Sequence, residues 1–338
     1  MKKYLFILTL LFISCQEEIT FDLPSANEKI VVEGSIEQGF PPYVLLTRNE
    51  GYFEPVDTNT YNNLFVKDAT VKVWTYNEDG TKDSVMLEQL PAPFDSISIY
   101  TDINVITNPG LEMRGEIGKT YNLEIQWNNQ IITSSTTIPE PTPLDCLWVE
   151  KNPSADEIFE CDIRAIYSDP ADIENNVLVR SKRTEHWKKK KNNNGIKNDN
   201  DPFLILVDAG PDILINGESF ETFFPKPREQ GGFPSGNYNT DRYETFNENG
   251  IEDSVFLPHD VVLIKFCQID KPSLMFWRGV VRQVTSGGNP FAEPANLSSN
   301  INGGLGTWTG YGAAYYKVPI IEDTTILEQY DVEITDIF

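Results

Sequence analysis

Residues 121–138 read YNLEIQWNNQIITSSTTI, and their pattern decides the fold class. Tyr121, Leu123, Ile125 and Trp127 alternate with polar residues, so an extended strand here has one apolar face and one wet face. Asn128-Asn129 supplies a two-residue turn, because asparagine tolerates positive φ, and residues 131–138 lead back. A hairpin that is apolar on one face needs a covering layer. Residues 28–138 hold no run with helical spacing, so that layer is a second sheet. Residues 30–36 (IVVEGSI) and 43–47 (YVLLT) are short β-branched or aromatic runs bounded by Gly39, Pro41 and Pro42. Residues 71–76 (VKVWTY) pass through Asn77-Glu78-Asp79-Gly80 into residues 81–87, and Asp-Gly is a hairpin signal. Pro139, Pro141 and Pro143 close the unit, since proline cannot sit in a central strand and stiffens a linker.

Residues 66–73 (VKDATVKV), followed by Asp79-Gly80, resemble the signature strand of small transthyretin-like or immunoglobulin-like sandwich domains. The second half is again β-rich, with strands expected at 144–149, 158–167, 176–187, 203–207, 212–215, 261–269 and 312–318. A helix fits only residues 272–284, where Leu274, Trp277, Val281 and Val284 fall at helical spacing behind Pro272. Residues 221–250 are rich in Gly, Pro and Asn and read as a long irregular loop. The expected architecture is mainly β. An N-terminal immunoglobulin/transthyretin-like β-sandwich at 28–140 precedes a second β-rich domain at 141–338, with long loops and at most one short helix.

Composition narrows the function classes. The 338 residues carry 51 acidic against 27 basic side chains, a net charge of −24. Such a surface disfavours nucleic acid, whose phosphates demand a basic face. With 40% hydrophobic and 12% aromatic residues, the chain is not wholly disordered.

The N-terminus writes an address. Met1-Lys2-Lys3 precedes the apolar run YLFILTLLFI at 4–13, which as a helix rises about 15 Å, half of a hydrocarbon core of about 30 Å. Residues 1–14 therefore read as a signal peptide. Phe12-Ile13-Ser14-Cys15 resembles a bacterial lipobox, with Phe12 where leucine is usual, and this implies acylation of Cys15, palmitate included. Gln16-Glu17-Glu18 resembles the surface-export signal of Bacteroidota lipoproteins; the plainer reading is an acidic tether on an acidic protein. Residues 15–27 form the tether. The expected location is the outer membrane, facing the cell exterior.

Catalytic signatures are missing from the sequence. The two histidines, His186 and His259, lie in no His-Glu-x-x-His frame, and no Gly-x-Ser-x-Gly elbow exists. A calcium-loop frame around residues 247–250 would put Thr245 and Phe256 where carboxylates are required. No enzyme activity, metal or cofactor is expected. Cys146 and Cys161 lie on strands that form a hairpin in this reading, and either a cross-strand disulfide or two buried thiols fits. Cys267, within VVLIKFCQI, reads as a buried small residue. Eight cations fall between residues 180 and 200, among them Arg180, Arg183, Lys188, Lys189, Lys190 and Lys191. They read as a peripheral basic hairpin arm, either solvated or set against lipopolysaccharide phosphates or an acidic partner.

Tyr167-Ser168-Asp169-Pro170, Val207-Asp208, Ile215-Asn216-Gly217, Asn289-Pro290-Phe291-Ala292 and Ser299-Asn300-Ile301-Asn302-Gly303-Gly304-Leu305-Gly306 together resemble the Bacteroidota lipoprotein family known as domain of unknown function 4249. The resemblance implies surface or periplasmic lipoproteins, often encoded beside TonB-dependent outer-membrane transporters, and supplies no catalytic residues. The glycine-rich run reads either as a packed structural loop or as a partner- or ligand-facing loop built on Asn300, Gly303, Gly304, Gly306, Trp308 and Tyr311. The function expected is that of a non-enzymatic partner of a TonB-dependent transporter. The alternative is a glycan-binding or adhesion lipoprotein that stacks sugars on exposed aromatics.

Overall fold

The computed structural model describes residues 28–49, 63–91, 97–153, 161–188, 196–200, 204–211, 213, 215–225, 238, 240–248, 251–286 and 296–337. In the first half lie β1 (Ile30–Glu37), β2 (Tyr43–Arg48), β3 (Thr70–Tyr76), β4 (Lys82–Gln89), β5 (Ile99–Thr101), β6 (Thr120–Trp127) and β7 (Gln130–Thr137). The second half holds β8 (Cys146–Lys151), β9 (Cys161–Ser168), β10 (Asn176–Lys188), β11 (Ile196–Asn200), β12 (Ile205–Gly210), β13 (Ser219–Phe224), β14 (Arg242–Glu248), β15 (Ile251–Leu257), β16 (Val261–Ile269), helix α1 (Lys271–Ser286), β17 (Leu305–Pro319) and β18 (Thr325–Ile326). The protein is mainly β, as expected. Residues 221–250 are less irregular than their composition suggests, because β13 begins before them and β14 lies inside them.

The deciding hairpin forms in the expected register. Trp127 faces Gln130, and the turn residues Asn128 and Asn129 take φ of 48° and 60°. Tyr121, Leu123 and Ile125 are buried against Val32, Ile36, Val44 and Leu46 in one core. A second core lies between the sheet β13-β9-β8-β18 and one face of β10, β16 and β17, with Ile163 and Tyr167 meeting Ile264, Phe266 and Tyr316. The third core fills the opposite face of that sheet under α1, where Leu274 and Trp277 meet Leu178, Cys267 and Ala313.

Strand β17 belongs to all three cores. Its first half pairs in parallel with β1, Val31 facing Leu305 and Glu37 facing Tyr311. The second half pairs antiparallel with β16, from Gln268 opposite Gly312 to Val261 opposite Pro319. Hydrogen bonding thus runs through twelve strands, in the order β11-β10-β16-β17-β1-β2-β5-β4-β3-β6-β7 with β12 beside β10. The division expected at residue 140 is crossed by this strand, which delivers Trp308 into the first core.

Glycine makes the crossing possible. A Cβ on Gly312 would stand 2.1 Å from the Pro139 carbonyl oxygen, and one on Gly310 2.7 Å from that of Thr137, so the proline segment passes directly over β17. The Gly310 N–H donates to Thr136 Oγ1 at 2.8 Å, and that hydroxyl donates to Asp270 Oδ2 at 2.7 Å. Asp270 Oδ1 in turn accepts from the Ser273 N–H at 3.0 Å, capping α1. One carboxylate therefore joins the first sandwich to the helix.

Gly306 and Gly303 offer a graded test. Both have positive φ, 101° and 85°, but a Cβ at Gly306 would also lie 1.9 Å from the Val32 carbonyl oxygen, against 3.3 Å to the nearest atom at Gly303. Gly303→Ala should cost about 1–2 kcal/mol of strain and Gly306→Ala more than about 3 kcal/mol. Urea denaturation of the two variants checks the order.

Candidate functional site

The face of β17 under α1 carries a buried polar seam. Lys265 is the one charge in the apolar run of β16, and strand alternation aims it at this face with Leu263 and Cys267. Its ammonium donates to Glu37 Oε2, at the end of β1, and lies 4.3 Å from the Tyr311 ring centroid. Tyr315 donates to the other carboxylate oxygen, Glu37 Oε1, at 2.7 Å. Burial, with the Glu37 charge beside it, holds the Tyr315 phenol well above its usual range, so it stays a neutral donor. Glu37 and Lys265 keep only 6% and 5% of their surface, and neither could be buried charged without the other.

Arg180 of β10 stands opposite Lys265 in the ladder. Its guanidinium lies 4.5 Å from the Trp277 ring centroid, and Nη1 donates to the Leu204 carbonyl at 3.4 Å. The indole N–H of Trp277 donates to Thr309 Oγ1 at 3.2 Å, which fixes the ring. The seam is equipped to hold charge, and its thiol is no nucleophile. Burial pushes Cys267 up to about 12, leaving it protonated at physiological pH. Among the described residues no group of three or more His, Cys, Asp or Glu is placed to hold a metal ion.

The residues singled out in the sequence fall into several environments. Asn300 bonds Trp308 through both backbone groups, its Nδ2 donating to the carbonyl at 2.7 Å and its Oδ1 accepting the N–H at 2.9 Å. Trp308 is fully buried; its indole N–H donates to the Tyr121 carbonyl at 3.0 Å, and a Cβ on Gly34 would press on its ring at 2.8 Å. Gly306 and Tyr311 are buried too, and Gly304 would bring a Cβ within 3.0 Å of Ile30. The partner- or ligand-facing reading of this run is therefore corrected. It is the entry into a central strand, and of those six residues only Gly303 is exposed.

The disulfide option is also overturned. Cys146 faces Ile166 and Cys161 faces Lys151, at opposite ends of the six-residue strand β8. That offset is about 16 Å along the strand, whereas disulfide-linked Cα atoms lie within about 7 Å. The basic cluster divides. Arg180 and Arg183 lie in the sheet rather than on an arm, and Arg183 Nη2 bonds the buried Asp260 at 2.6 Å. Lys188 ends β10 opposite Ile196, while Lys189, Lys190 and Lys191 lie outside the described residues, as do Cys15, Gln16, Glu17 and Glu18.

Sequence reasoning missed the seam, although a lone lysine among VVLIKFCQI was its signal. It also missed a shallow cleft of about 560 Å³ at one end of the sandwich. Tyr76, Asn77, Glu116, Ile117 and Asn122 line it, and Tyr76 is 57% exposed.

Lys265→Met should cost about 3–5 kcal/mol by stranding the Glu37 carboxylate, and adding Glu37→Gln should restore part of that loss. Chemical denaturation of the single and double variants measures the coupling. A pH titration of stability is a second check. Burial pushes Tyr121 and Tyr316 up to about 12 from 10.0, so the unfolded chain loses these protons first. Their contribution is complete below pH 10 and should be lost between pH 10 and about 12, read as a falling urea midpoint.

No curated protein matches the chain significantly. Residues 16–316, which take in both halves of the fold and most of β17, match the profile of the family described as a domain of unknown function, DUF4249, and the chain belongs to that family.

Proposed function

We propose that this chain is a non-enzymatic lipoprotein of the outer membrane, held by acylated Cys15 with its body outside the cell, and that it serves a TonB-dependent transporter in binding or admitting substrate. The observation that carries this reading is the leader: a short apolar run ending in Ser14-Cys15, with Gln16-Glu17-Glu18 behind it. The resemblance to Bacteroidota lipoproteins supports it. Among the described residues no helix is long and apolar enough to cross a membrane. Residues 16–27 span at most about 40 Å when extended, which keeps β1 near the membrane plane and raises the effective concentration of a membrane partner.

A second reading, recognition of a glycan, rests on the cleft at Tyr76. An exposed phenol ring beside the side chains of Asn77 and Asn122 is the pairing of apolar face and amides that sugars use.

Cys15→Ala should release the protein from the membrane fraction, and protease added to intact cells should reach the unaltered protein. Mild detergent extraction should recover it with a barrel in stoichiometric amount. Recovery alone, together with glycan binding that Tyr76→Ala abolishes, would replace the first reading by the second.

A further inference from the structure

Arg180 is held in place without being saturated. Stacking on Trp277 and the bond from Nη1 to the Leu204 carbonyl fix its plane. Among the described residues its other two nitrogens, Nε and Nη2, are enclosed and have no hydrogen-bond partner. These two form the side-on edge of the guanidinium, whose parallel N–H groups match two oxygens of a carboxylate or phosphate. Folded proteins leave few buried donors unpaired, and one that persists calls for an ion or water.

The charge balance points to an anion. Arg180 and Lys265 face each other across two strands, an arrangement of like charges that destabilises a ladder. The buried carboxylate beside them, Glu37, is already committed to Lys265 and Tyr315. Glu33, Tyr43 and Tyr311 are close enough to act on the Arg180 charge, but Glu33 is exposed to solvent. Arg180 as a residue is partly exposed, while Nε and Nη2 themselves are enclosed.

We infer that the side-on edge of Arg180, walled by Trp277, is a binding site for an oxyanion group, a carboxylate or a phosphate carried by a small ligand. The site stands independently of the membrane anchor proposed above. It also gives an accessory lipoprotein a chemistry for its cargo.

The test is calorimetric titration of the purified protein with sodium acetate and with inorganic phosphate, at ionic strength held constant with sodium chloride. One of the two should bind saturably and raise the melting temperature, which separates the carboxylate source from the phosphate source. Arg180→Lys keeps the charge and loses the fork, and should weaken binding at least tenfold. Arg164→Lys, at a half-buried arginine already paired with Glu150 and Glu221, should leave binding unchanged. Should Arg180→Lys fail to fold, Trp277→Phe serves instead: it removes the indole that walls the fork, and should weaken calorimetric binding several-fold and abolish the anion-induced change in tryptophan fluorescence. No saturable response to either anion overturns the inference. So does equal binding by Arg180→Lys, or an unaltered fluorescence response in Trp277→Phe. Anion binding that appears only in Glu33→Gln would show the fork to be filled from within, and would overturn it too.

Discussion

The passage of residues 137–141 across Gly310 and Gly312 is the constraint on which the rest depends. Two backbones can approach this closely only where one of them has no side chain. Because they do, β17 continues in one piece from its parallel pairing with β1 to its antiparallel pairing with β16. Residues on alternate sides of this strand then enter three cores, Trp308 in the first, Tyr316 in the second and Tyr315 in the third. The hydrogen-bond chain from Gly310 through Thr136 to Asp270 sets the start of α1 by the same crossing.

Much of this was legible in the sequence wherever a strand buries one face. Residues 121–127 and 261–269 declare themselves by alternation or by an unbroken apolar run, and α1 by its 3.6-residue spacing behind Pro272. The failures share a physical cause. Gly303 to Gly312 look like a loop because glycine frees the backbone, yet here most of them serve close approach and carry no side-chain periodicity at all. Strand β13 was hidden among turn residues, since its pairing with β9 is supplied by tertiary context, whereas β14 and β15 pair locally on either side of Asn249-Gly250, a hairpin signal in the sequence itself. The two-cysteine pattern misled for a different reason: spacing permits a hairpin but does not fix its register.

The polar seam was the least legible part. Nothing in sequence brings Glu37 of the first strand to Lys265 and Tyr315 near the other end of the chain; only the β1–β17 and β16–β17 ladders do. An acidic exterior and a buried seam holding Arg180, Lys265 and Glu37 coexist in one molecule. Net charge of −24 describes the surface seen at long range, while Arg180 governs what can be held at contact distance. Long-range repulsion and short-range recognition would together select small, compact anions over extended polyanions.

The most direct test of the account asks whether the first half folds without its borrowed strand. Residues 28–140, expressed alone, lack Ile301 and Trp308, both of which belong to the first core. Urea titration followed by near-ultraviolet circular dichroism should show no cooperative transition for this fragment. Adding a peptide of residues 299–319 should restore one. A sharp, cooperative transition in the fragment alone would contradict the central role given to β17.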